Sequence, residues 1–180
     1  MTAPLYSTLL DALRESREEF LRAVEGMIDE EATWKPAPNR WSVLDCAEHV
    51  AMAESGMFRA VRDGTPATEP TPNNEGRKQR LMAAAVNRER KWVAPEPVRP
   101  NGRFASLAEA VEQFVSKRER TIRWMESCTD DLASLLTDHP VAGRITCEEC
   151  LWLLIGHPLR HAAQIREIRQ LHNEASRSGR

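Results

Sequence analysis

Residues 155–168 read IGHPLRHAAQIREI, and their reading decides the architecture of the whole chain. Leu154, His157, His161, Gln164, Ile168 and Leu171 follow one another in steps of three and four, the seam of a helix turned toward a core. His157 and His161 therefore share one face, one turn apart. A buried imidazole without a partner costs free energy, so two on adjacent turns of a core face need a common explanation. Pro158 lies between them. It removes the hydrogen bond to the Leu154 carbonyl and pushes on that carbonyl. The kink is either merely tolerated or sets the angle between the imidazoles.

Working outward, helix signals recur along the chain. Thr146 and Glu149 form a capping box for this last helix, which is expected to end near His172 and leave 173–180, NEASRSGR, as a flexible tail. Ser106 with Glu109 opens a third helix, striped by Leu107, Ala110, Val111, Phe114, Val115, Ile122 and Met125. Ser42 with Asp45 opens a second, with Trp41 as its staple residue and a stop at Gly64. A first helix spans about Pro4 to Ile28, carrying Tyr6, Leu9, Leu10, Leu13, Phe20, Val24 and Met27. Between them, 30–40 (EEATWKPAPNR) and 139–144 (HPVAGR) read as turns.

The stretch between the second and third helices differs in character. GTPATEPTPNNEG (64–76) is a loop by composition, about Arg77 to Trp92 a shorter helix, and APEPVRPNGRF (94–104) an extended connection. No segment alternates at period two, so no sheet of consequence is expected; one of three or more strands would overturn the bundle reading. The expected fold is all-α: an up-down four-helix bundle with a long helix 2–3 connection containing a short extra helix, one domain over 1–172.

Composition narrows the function. A formal net charge of −2 offers no basic footprint for nucleic acid, and the one mixed basic run, RKQR at 77–80, is short. The longest apolar run, Leu151–Ile155, is too short to span a bilayer, and the N-terminus lacks the order of a signal peptide. A cytoplasmic protein with no membrane partner is expected. Cys147 and Cys150 form a lone CxxC without a second pair, and read as two small apolar residues in the first turn of a helix.

Two neutral imidazoles at i and i+4 can reach one metal ion, and a third ligand should come from another helix. His172 lies three turns beyond His161, and His139 sits in a turn before a proline. His49, inside the largely apolar CAEHVAMAE of helix 2, is the best third candidate. Yet it projects away from the stripe of Leu44, Ala47, Ala51 and Phe58, beside Met52, Ala53 and Gly56. Helix 2 must be buried on two sides, or the site lies off the bundle axis. Core histidines satisfied by carbonyls or carboxylates are the alternative.

WSVLDCAEH (41–49) resembles the helix 2 signature of the DinB-like superfamily, and HPLRHAAQI (157–165) its HxxxH motif followed by Gln-Ile. The segments 94–104 and 131–146 are similar to that family's connections. The resemblance implies a four-helix bundle holding one divalent metal ion, often nickel or zinc, on three histidines, here His49, His157 and His161. Pro158 departs from the usual motif. The resemblance also implies a homodimer, to which an apolar surplus on helix 2 adds. It implies a small-molecule substrate and activation of a low-molecular-weight thiol, such as bacillithiol or mycothiol, or of water in a hydrolase. The alternative is a non-catalytic metal-binding or structural stress-related protein of the same fold. Gln164 is either a residue orienting a ligand histidine or substrate, or a packing amide. Neither Glu48 nor Glu54 is assigned as a base. Arg118 and Arg123 either meet an anionic thiol cofactor or form exposed salt bridges.

Overall fold

A computed structural model describes residues 6–68, 75–89 and 91–178. Along these residues run α1 (Ser7–Val24), α2 (Asp29–Thr33), α3 (Val43–Arg62), β1 (Thr65–Pro66), α4 (Glu75–Val86), α5 (Leu107–Ser127), β2 (Leu135–His139), β3 (Gly143–Thr146) and α6 (Cys147–Ser178). A single 3₁₀ turn at Glu96–Val98 interrupts the connection expected to be extended. No described helix is long and apolar enough to cross a membrane.

The caps act where the residue types put them. Ser42 Oγ accepts the Asp45 N–H at 3.1 Å while the Asp45 carboxylate accepts the Ser42 N–H at 2.9 Å. Thr146 and Glu149 make the same reciprocal pair ahead of α6. Ser106 caps α5, but Glu109 reaches one residue further back, to the N–H of Ala105. Some ends differ from expectation. The start of the first helix at Pro4 lies outside the described residues, as does part of the 64–76 loop. α1 stops at Val24 because Gly26 turns the backbone into the left-handed region at φ 71°. α6 continues to Ser178, past the expected end at His172, with a Gln170–Glu174 hydrogen bond on its last turns.

The expectation of no sheet is corrected. β2 and β3 form an antiparallel hairpin from Leu136↔Thr146 to His139↔Gly143, and β1 adds Thr65↔Leu136 and Pro66↔Leu135, giving the order β1-β2-β3. These strands carry no alternating pattern because Leu135, Leu136 and Thr137 are all partly buried in succession. The sheet sits beside the bundle, β1 is two residues long, and helices carry the core.

The bundle itself is α1, α3, α5 and α6. One core cluster gathers Leu9–Leu13 of α1, Phe58 and Val61 of α3, Ile122 and Met125 of α5, and Cys150–Ile155 of α6. The other gathers Phe20–Val24, Val43–Ala51, Leu107–Phe114 and Ala162–Ile168. The start of α1 thus shares a core with the end of α3, the end of α5 and the start of α6. The four-helix bundle is the expected one, but its helices run up, down, down, up, which corrects the simple up-down order expected. The long connection from α3 to α5 lets those two lie parallel, and α1 packs against α5 and α6. Buried positions of α3 include Ala47 and Ala51 on one side and His49 and Ala53 on the other, so its apolar surplus is used within the chain.

Between the two clusters lies a polar layer. Arg118, fully buried, donates Nε to Glu54 Oε1 at 2.9 Å and Nη2 to Glu54 Oε2 at 2.8 Å. Its Nη1 serves Leu13 O and Ser16 Oγ at 3.0 and 2.7 Å, and Nη2 also reaches Leu154 O at 3.1 Å. All five guanidinium hydrogens are thereby used. The expected exposed salt bridge or cofactor contact at Arg118 is overturned: its α5 side chain is enclosed by partners from the three other bundle helices. Leu154 O is the carbonyl that Pro158 leaves without a helical donor, so Arg118 satisfies the defect created by the proline.

α4 roofs one side of the bundle, and none of its described side chains is fully buried. It lies so close to α6 that a Cβ on Gly156 would come within 2.7 Å of Ala85 Cβ. Gly156→Ala is expected to unseat α4 while favouring the α6 backbone by about 1 kcal/mol. Limited proteolysis within 75–86 should accelerate while the melting temperature of the bundle changes little.

Candidate metal centre

α3 and α6 lie side by side, and the groove between them is where the histidines meet. One ring nitrogen from each of His49, His157 and His161 lies within 4.8 Å of those of the other two. The ring centroids form a nearly equilateral triangle of 4.8, 4.9 and 4.7 Å. His49 and His161 are 6% and 5% exposed, while His157 keeps contact with the cavity beside it. The two-sided burial required of helix 2 is present. His49 and Ala53 are buried on its second face, and Gly56, Met57 and Ala60 continue that face along a cavity whose opposite wall is formed by α4 and residues 91–98.

The hydrogen bonds specify the imidazoles further. His49 Nδ1 lies 2.8 Å from Val98 O, an acceptor only, so Nδ1 carries the hydrogen and Nε2 keeps a lone pair. That Nε2 faces His157 Nε2 at 2.9 Å. His161 Nδ1 donates to Gln164 Oε1 at 3.1 Å, again leaving Nε2 bare. Burial holds His49 below the ordinary histidine range despite the Val98 bond, which acts the other way. His157 lies well below it through burial and then the neighbouring His161 and His49. His161 is likewise low through burial, His49 and Arg160. With His49 Nε2 bare, His157 Nε2 donates across that contact, and the three neutral imidazoles together form a donor set that suits a divalent ion.

Two residues around the cluster were given no part in the site by the sequence reading. The Trp41 ring, expected as a staple, lies 4.9 Å from that of His49 and stacks at 6.0 Å on that of His161. The Glu48 carboxylate accepts the N–H groups of Asn101, Gly102 and Arg103 and pairs with the Arg103 guanidinium at 2.7 Å. It clasps the connection that presents Val98 O to His49. A lone acid beside a histidine on an apolar helix, and a Pro-Asn-Gly turn at 100–102, were the available signals.

The remaining candidates separate cleanly. His172 packs its ring on Trp34, 5.2 Å away and outside the cluster. His139, at the end of β2, accepts the N–H groups of Val141 and Ala142 on Nδ1 and lines the same cavity, outside the three-nitrogen cluster but near enough to help lower the His157 pKa. Glu54 belongs to the polar layer, and Arg123 lies on the exposed face of α5. Cys147 and Cys150 are buried free thiols, their pKa values pushed up by burial to about 11 and about 12, outside the range of reactive thiolates.

The cavity beside the cluster has a volume of about 970 Å³. Apolar walls come from Met57, Leu81, Leu153 and Val98, and Gln164 lies at the histidine end. This is the size and lining of a small-molecule site.

Known proteins share this arrangement of helices. The chain is 21% identical to the uncharacterized protein YuaE of Bacillus subtilis over 161 residues, 89% of this chain and 97% of YuaE. A conserved protein of Enterococcus faecalis superposes with a TM-score of 0.65 at 16% identity, over 96% of this chain and 99% of that one. YfiT from Bacillus subtilis, described as a probable metal-dependent hydrolase with an unusual four-helix bundle topology, superposes with a TM-score of 0.59 at 20% identity, covering 91% and 85%. The family model of the DinB superfamily matches residues 12–165, and with that match over most of its length the chain belongs to the DinB superfamily.

Proposed function

We propose that this chain is a metal-dependent enzyme in which His49, His157 and His161 hold one divalent ion, nickel or zinc, beside a cavity for a small-molecule substrate. One observation carries the reading. Three neutral imidazoles converge at the cavity wall, two of them with Nδ1 hydrogens already engaged by carbonyl oxygens. A divalent ion on three protein ligands keeps a position open and lowers the pKa of a bound thiol or water toward neutrality. Val98 O and Gln164 Oε1 fix the tautomers and ring planes of His49 and His161. Trp41 packs against both rings and keeps water from that side. The likeness to YfiT supports hydrolysis; the resemblance to thiol-using relatives supports S-transfer from a low-molecular-weight thiol.

The test is turnover by zinc- and nickel-loaded protein against two panels, ester and amide hydrolysis and thiol conjugation to electrophiles. Activity in wild type and its loss in a folded His157→Ala variant are expected. Equal turnover in both, or none with either metal, would contradict the proposal. Gln164→Leu, which removes the acceptor from His161 Nδ1, is expected to weaken zinc binding about 10–100-fold. Competition with a chromophoric chelator measures this, with circular dichroism unchanged.

A further inference from the structure

One end of the cavity is basic. Arg40, Arg88, Lys91 and Arg160 line it, with Asp138 as the acid among the described lining residues and Glu167 beside them pairing with Arg40 and Arg88, in a chain whose formal net charge is −2. Arg160 stands three residues after His157 and four before Gln164, so it projects from the α6 face that carries the histidines. It donates to the carbonyl of Asn87, the residue preceding Arg88, which draws the two guanidinium groups to the same place. Arg88 and Arg40 in turn share the carboxylate of Glu167, one oxygen each, with Arg40 Nη2 at 3.0 Å from Oε1 and Arg88 on Oε2. Arg40 and Arg88 thus already hold one planar carboxylate between them, that of Glu167, and Arg160 stands beside Arg88.

We infer that the cavity takes a small molecule with an apolar body and a carboxylate, the carboxylate seated between Arg88 and Arg160 and the body along Met57, Leu81 and Leu153. This rests on the cavity being the substrate site of the proposed enzyme, and it adds the substrate's chemical class. Arg160 stands one residue before His161, and Leu153 one turn before His157, so a molecule held between them lies alongside the histidine cluster.

The test uses metal-free protein, so that no carboxylate–metal contact contributes. Binding of 4-phenylbutyrate and of its neutral amide is measured by ligand-observed NMR titration in wild type, Arg160→Gln and Arg88→Gln. The acid is expected to bind about tenfold or more tightly than the amide, charge-assisted hydrogen bonds being the stronger kind. Rising salt should reduce that advantage, and both substitutions should largely abolish it. Equal binding of acid and amide, an advantage that survives in the folded variants, or no binding of either would overturn the inference. Arg88→Gln keeps the test decisive if Arg160→Gln, closer to the core, fails to fold. Failure here leaves the three-histidine centre standing, and loss of zinc binding would leave this result standing.

Discussion

Glu54→Gln is expected to lower the unfolding free energy by about 3–5 kcal/mol, the cost of leaving a buried guanidinium without its counter-charge. Arg118 is fully enclosed and cannot turn to solvent. Its remaining acceptors, Leu13 O, Ser16 Oγ and Leu154 O, are neutral. Thr121 Oγ1, which donates to Glu54 Oε1 at 2.8 Å, loses its charged partner as well. By contrast, the surface pair Arg14–Glu126 should contribute no more than about 1 kcal/mol. Replacing both partners, as Glu54→Leu with Arg118→Met, should cost less than Glu54→Gln alone, because no charge is then stranded. In that background Pro158→Ala should recover part of the loss by returning an N–H to Leu154 O. Urea unfolding at neutral pH measures all four; a Glu54→Gln loss near that of Arg14→Ala would refute the central role of the layer.

The second large effect concerns the histidines. His49→Ala, His157→Ala and His161→Ala are each expected to weaken zinc binding well beyond the about 10–100-fold assigned to Gln164, while His139→Ala and His172→Ala leave it unchanged. Bound zinc should raise the melting temperature, by about 2.7 kcal/mol of stabilisation when free zinc is 100-fold above its dissociation constant. Metal-free protein should remain helical, since both core clusters are apolar and complete without it. The pH dependence has a definite sign. All three pKa values lie below the ordinary 6.5 in the folded state, so below that pH the unfolded chain binds protons that the folded one refuses. Metal-free stability is therefore level above about pH 6.5 on this account and falls as pH drops beneath it. Substituting the histidines should flatten that fall, and thermal melts across pH 5–7.5 follow it, a window about one unit either side of the ordinary histidine value.

Helix starts were legible because they are written in local chemistry. Ser42, Ser106 and Thr146 each cap the helix they were expected to begin. The i, i+4 spacing of His157 and His161 was equally local. His49 looked misplaced because its cover, Val98 and its neighbours, lies 49 residues further along the chain. The direction of α5 depends on a long connection whose path no local pattern encodes. Arg118 read as a surface charge because its partners come from α1, α3 and α6, each contributing one or two acceptors. The β2–β3 hairpin was missed for a related reason: neighbouring elements bury successive residues, which erases the alternation that marks a strand.

The most direct measurement of the three-histidine centre is X-ray absorption on the zinc-loaded protein. Three imidazole nitrogens at about 2.0–2.1 Å and one further light atom, with the imidazole signal reduced in His161→Ala, are the predicted result. Sulfur at about 2.3 Å, which would place zinc on Cys147 and Cys150, or a spectrum unchanged by His161→Ala, would contradict it.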